Sequence, residues 1–198
     1  QYAPDYSEVH YNLGVINRIL SSNLQRDALQ IADPAERKKL VDKAHELIEA
    51  SRGQFALAAQ MCNKISIQYQ YAQALRESAA IAPSSEERLA LTREAAGVYD
   101  RIRDLEFTVA TQEENQLETE DQQKEAAARM APLLFEELGD YARAADAYRA
   151  LFRLVPGKTE YMGKAVEMYT KAGQVDEAKG VLERALTRSP LNFEARNA

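Results

Sequence analysis

The residues that could do chemistry are few. His10 and His45 are the two histidines of the chain and Cys62 its single cysteine. A zinc or non-haem iron site needs three or four converging His, Cys or carboxylate ligands. Neither histidine has an acidic partner at ligand spacing together with a second His or Cys, so both read as packing or surface residues and no metal or other cofactor is expected. Cys62 falls between Ala58 and Ile65 on the apolar side of a helical pattern. A nucleophilic thiol needs a base and an electropositive setting; neither is visible, and the cysteine reads as a buried core residue. Adjacent carboxylates such as Glu136 and Glu137 point in different directions on a helix and would not share a substrate. Gly-rich phosphate loops, Gly-x-Ser-x-Gly elbows, paired-His helices and Ca²⁺ loops are all absent from the sequence. An active site built wholly from this chain is not expected.

The elements that would carry any site read as helices. Of 198 residues, 45% are hydrophobic and 28% charged, which allows a sizeable core and excludes global disorder. Eight Gly and six Pro are few, and the balance favours helix over a sandwich or barrel. A net charge of −6, from 25 basic and 31 acidic residues, argues against a general nucleic-acid surface. No apolar run approaches the ~18 residues that span a bilayer, so direct membrane insertion is not expected. The chain opens on Gln1 without a signal-like start, as an excised fragment would. Stops stand at Asp33-Pro34, Arg52-Gly53, Pro83-Ser84-Ser85, Gly139-Asp140, Pro156-Gly157, Gly173 and Pro190. Between them the pattern predicts helices near 6–24, 35–51, 54–82, 84–113, 118–138, 141–155, 158–172 and 174–188, and no strands.

The C-terminal third contains an internal repeat. Leu138-Gly139-Asp140-Tyr141 recurs 34 residues later as Ala172-Gly173-Gln174-Val175. At the same shift Ala144, Tyr148, Leu151 and Pro156 recur as Ala178, Leu182, Ala185 and Pro190, and Phe135 corresponds to Tyr169. The spacing describes a helical hairpin. Gly ends the first helix where a left-handed backbone is needed. A small Ala on the second helix lets the backbones approach, a large residue four later fills the gap, and Pro blocks continuation.

These residues resemble the tetratricopeptide repeat family, with Ala144…Tyr148…Pro156 and Ala178…Leu182…Pro190 matching its pattern over roughly 125–192. The run from Pro4 to Gly14 looks like a terminal Pro followed by a new first helix, and Pro190 to Asn197 like the opening of a further unit, as if both ends were cut from a longer array. The resemblance implies an all-α fold, a right-handed solenoid of antiparallel helix hairpins. The register does not run straight through. Gly53, Phe55 and Ala58 match only in part, and the helix there is expected to run on to Ala82. Ser84 and Glu87 form a capping-box pattern. Leu91, Ala95, Val98, Ile102, Leu105 and Val109 follow as a coiled-coil seam, with Phe55, Ala58, Cys62, Ile65, Tyr69 and Ala72 as its partner. Two helices of ~28 residues would make a hairpin ~40 Å long. The expected divisions are therefore 1–53, degenerate repeat-like helices; 54–117, the long hairpin; and 118–198, repeats with a truncated last unit. Pro132 has two open placements: inside a helix, or in the first turn after a break near Ala131.

The same resemblance implies a function, the binding of a partner protein or peptide in a concave groove lined by the first helix of each unit. Carried over by position, that groove contains Tyr11, Asn12 and Val15; Arg129, Met130, Leu133 and Glu136; and Glu160, Lys164, Glu167 and Lys171. Relatives that grip a C-terminal carboxylate use asparagines where Leu133 and Glu167 stand here, so that activity is not expected. Tyr148 and Tyr169 read as packing aromatics, while Tyr11 stays open between packing and the groove. The acidic stretch 111–125 reads as a solvated helix end and connecting loop. Another reading makes the chain the soluble accessory region of a larger membrane-anchored bacterial cell-envelope protein or of a glycan polymerase or ligase, since such proteins can carry similar arrays. Self-association through an exposed repeat end is a third.

Overall fold

Helix boundaries in this chain are set by local polar contacts that can be followed one at a time. In the computed structural model, which describes residues 6–106, 114–155 and 157–188, the Asp33 carboxylate accepts from the N–H groups of Ala35 at 2.7 Å and Glu36 at 2.9 Å. Pro34 fills the first turn, where its missing N–H costs nothing. Ser84 accepts from the Glu87 N–H at 3.1 Å, and Asp140 from the Arg143 N–H at 3.3 Å. The described residues form eight helices and no strand: α1 (Tyr6–Ala28), α2 (Pro34–Met61), α3 (Ile65–Ile81), α4 (Ser85–Ile102), α5 (Glu114–Glu137), α6 (Tyr141–Leu154), α7 (Thr159–Lys171) and α8 (Val175–Arg188). The fold is all-α. Each helix packs against the next as sequential antiparallel pairs, and α3 also touches α5.

The repeated turns behave as their sequence requires. Gly139 and Gly173 sit at φ 70° and 74°, the left-handed region. In the first turn Asp140 N–H reaches Phe135 O at 2.9 Å and Gly139 N–H reaches Glu136 O at 3.0 Å. In the second, Gln174 N–H reaches Tyr169 O at 2.8 Å and Gly173 N–H reaches Thr170 O at 3.0 Å. These paired bonds satisfy the last carbonyls of α5 and α7, and only glycine takes the required backbone without strain. Ala144 and Ala178 are buried at the close approaches, with Phe135, Tyr148 and Tyr169 buried around them and Leu182 packed against them. The resulting core runs continuously from Ile65 to Ala185. Pro4, Pro156 and the run from Pro190 to Asn197 lie outside the described residues.

The N-terminal hairpin is packed differently. Ser7, Gly14, Ser21 and Ala28, every seventh residue, form the buried line of α1. Ala44, Ser51 and Ala58 form the matching line on α2, with Ile48 and Phe55 filling between. Small residues let the backbones come close enough for hydroxyls to cross: Ser21 Oγ donates to Ala44 O and Ser51 Oγ to Gly14 O, both at 2.8 Å. A Cβ on Gly14 would lie 2.9–3.0 Å from the Phe55 ring atoms. These residues stand apart from the cluster that begins at Ile65.

The middle of the chain differs from its sequence expectation. Gly53 does not stop a helix; it lies inside α2, which continues to Met61. The break comes instead at residues 62–64, where no Gly or Pro marks it. A side chain of the following helix caps it. The Gln68 side-chain amide donates back to Ala59 O at 2.9 Å and to Cys62 O at 3.4 Å, satisfying carbonyls that a continuing helix would have used. Cys62 is therefore the half-buried C-cap of α2 and not a core cysteine. The central hairpin is α3 against α4, of 17 and 18 residues, or ~26 Å each at ~1.5 Å per residue, in place of ~40 Å. Half of the expected seam is there: Leu91, Ala95, Val98 and Ile102 are buried, and Tyr69 meets Tyr99 edge-on at 5.9 Å. Phe55 and Ala58, assigned to its other side, face α1. The divisions drawn at 53/54 and 117/118 fall within α2 and α5. Pro132 lies inside α5, fully buried. Val109 and residues 111–113 lie outside the described residues, while 114–125 are helical and open α5.

Candidate partner-binding surfaces

The end of α5, the start of α6 and the end of α7 meet because the Gly139 turn reverses the chain and α7 runs antiparallel to α6. Four of the expected groove residues gather there. Glu136 accepts from the buried Tyr148 hydroxyl at 2.5 Å. Glu167 accepts from Lys171 at 2.7 Å and Lys164 at 3.2 Å, and the Lys171 ammonium lies 5.6 Å from the centroid of the Tyr141 ring. The hydrogen bonds from Lys171 and Lys164 hold the Glu167 carboxyl below its ordinary range, and Glu167 raises Lys171 in return. Burial, then the bond to Glu136, pushes the Tyr148 hydroxyl well up, with Glu167 adding to it. Tyr148 and Tyr169 are core residues with one polar edge, the latter donating to Asp146 at 2.6 Å.

The other expected residues are dispersed around this junction. Leu133, one turn before Glu136, is about half exposed at 51%. Met130 packs partly against the core. Arg129 is engaged by Glu125 of its own helix. Glu160 is exposed in the first turn of α7, two turns from Glu167.

On α1, Tyr11 is half-buried and meets Phe55 edge-on at 5.7 Å, so packing holds one side of its ring. Val15 is half-buried on the following turn. Asn12 is exposed on a different face, three residues after Val9 and four before Ile16. The residue that organises this region is Arg18, seven after Tyr11. Its guanidinium donates to Glu77 at 3.1 Å, to Gln70 Oε1 at 2.5 Å and to Gln70 O at 3.3 Å. It also lies 4.9 Å from the centroid of the Phe55 ring, tying α1 to both α2 and α3. Sequence reasoning misses it, although it is the single charged residue of α1 between Glu8 and Arg26. His10 is occupied in packing, with Nδ1 2.7 Å from Gln54 Oε1.

A cleft of about 450 Å³ between α4 and α6 is lined by Arg103, Arg143, Arg149 and Arg153 among carboxylates. Much of its charge is internally matched. Arg103 pairs with Asp100 and Asp104, both at 2.9 Å, and Arg149 with Asp146 at 2.8 Å and Glu177 at 3.5 Å. The bond from Arg103 lowers the Asp104 carboxyl. Arg143 stacks on Phe135 at 4.2 Å. Arg149 thereby joins α6 to α8, while the Arg103 pairs stay within its own stretch of chain.

Among the described residues no group of three or more His, Cys, Asp or Glu could hold a metal ion, and no helix is long and apolar enough to cross a membrane. No family model matches the chain, and no curated protein matches it. Among solved structures it is similar to a thermophilic TPR protein in Thermus thermophilus, at 16% identity and a TM-score of 0.39, over 96% of this chain and 95% of that one.

Proposed function

We propose that the chain is a non-catalytic scaffold that binds a partner protein or peptide along the first helices of its hairpins, α1, α3, α5 and α7. The observation that carries this reading is the cluster of Glu136, Lys164, Glu167 and Lys171 at the α5–α7 junction, with exposed Leu133 one turn before Glu136 on α5. Arg129, Met130 and Glu160 lie on the same two helices, and on α1 Tyr11 and Val15 would form the N-terminal part of the groove, with Asn12 on another face. Mixed charge around an apolar residue suits an extended or amphipathic peptide. The apolar contacts supply affinity while the charges fix register and discriminate against wrong partners. Helices held by a continuous core present this surface without reordering, which limits the entropic cost of binding.

The test is charge reversal. Arg129→Glu combined with Lys164→Glu is expected to weaken a partner recovered from native extract by about tenfold or more. Helical circular dichroism and melting should stay close to the parent, since exposed charges contribute little to stability. Equal affinities for the two proteins would remove the groove assignment.

A further inference from the structure

Among the described residues, α1 carries an exposed apolar stripe. Tyr6, Val9, Leu13, Ile16 and Leu20 follow one another at spacings of three and four, with Ile19 beside them, and each is 42–62% exposed. Together they present on the order of 500 Å² of apolar surface, near the upper end of what a monomeric protein shows in one patch. The helix cannot rotate this stripe inward. Its other side is committed to α2 by Ser7, Gly14, Ser21 and Ala28 and by the two crossing hydroxyl bonds.

Spacings of three and four in alternation are the seam of a two-helix coiled coil. We propose that this stripe is the docking site for a second copy of the chain, α1 against α1. The helices run antiparallel about a two-fold axis, with Leu13 against Ile16 and Val9 against Leu20. Two observations select a copy of the chain itself. A two-fold contact places one patch against its own image, so the patch must tolerate itself. This one does: from Val9 to Leu20 its solvent-facing members are uncharged, and Arg18, the charge within that span, is drawn away to Glu77 and Gln70 of α3. Doubled, the exposed area reaches about 1,000 Å², the threshold for a specific interface. The antiparallel direction follows from the helix dipoles, which attract when the start of one helix lies beside the end of the other.

Sedimentation of the 198-residue chain across a concentration series tests the proposal. The expected result is a monomer–dimer equilibrium whose dissociation constant rises at least about tenfold in Ile16→Glu, because a charge would be buried in the seam. Leu20→Lys should act likewise, and both should keep the parent's helical circular dichroism, since the positions are exposed in one copy. Leu133→Glu, an equally exposed leucine on α5, should leave the dimer intact. In a Cys62→Ser background, Val9→Cys together with Leu20→Cys should give a covalent dimer on mild air oxidation, and Val9→Cys alone should not. A chain monomeric at every concentration, or a dimer indifferent to both α1 substitutions, would overturn the interface. A covalent dimer from Val9→Cys alone would overturn its antiparallel direction.

Discussion

Gly14 carries more of the N-terminal hairpin than its missing side chain suggests. A methyl group there would press on the ring of Phe55, which is fully buried and held by the edge of Tyr11 and the guanidinium of Arg18. Replacing a helical glycine by alanine ordinarily stabilises by up to about 1 kcal/mol, while overpacking a fixed core costs about 1–3 kcal/mol. The second effect should win, and Gly14→Ala is expected to lower stability by about 1 kcal/mol or slightly more. Gly53 on α2 is the control, since nothing lies within 4 Å of its would-be Cβ. Gly53→Ala should stabilise by about 0.5–1 kcal/mol. Denaturant midpoints that move in the same direction for both would show that Phe55 yields to the added methyl.

At the scale of elements, the repeated turn makes a matching demand on the helix that follows it. Ala178 is buried where α8 comes down on α7, as Ala144 is where α6 meets α5. Ala178→Leu is expected to destabilise by ~1–3 kcal/mol through overpacking, and a thermal melt equal to the parent's would remove the close approach. This part of the fold is legible because its determinants are local: a positive-φ glycine, an alanine five residues on and an aromatic in the preceding turn. The N-terminal half is harder to read because its determinants are not. The seven-residue line of Ser7, Gly14, Ser21 and Ala28 is visible in the sequence, but serine and glycine do not register as a buried face in a search for apolar periodicity. Gly53 reads as a stop although a glycine within a helix costs only about 1 kcal/mol against alanine, which the docking of α2 on α1 offsets. The expected groove divides in the same way. Glu136, Lys164, Glu167 and Lys171 converge because the repeat fixes their helices, whereas Arg18, which acts across 59 residues of sequence to Glu77, has no local signature.

Across the whole molecule, burial divides in two. The continuous core spans α3 to α8, and the α1–α2 pair is packed chiefly on itself and joined to α3 by the Arg18 bonds and the α2–α3 contact. A unit outside the shared core can open at a lower free energy than the core itself. Amide hydrogens of α1 and α2 are therefore expected to exchange as one group, faster than the slowest amides of α4 to α6. Arg18→Gln should speed the first group and leave the second unchanged. Uniform protection across both would merge them into one cooperative body. The joint between the two parts is the turn at 62–64, closed by the Gln68 amide reaching back over the end of α2. The length of α2 is thus recorded outside α2, in a side chain of the helix that follows it. A substitution at position 68 is therefore expected to loosen the punctuation of a segment whose own residues are untouched, read as faster amide exchange at the end of α2.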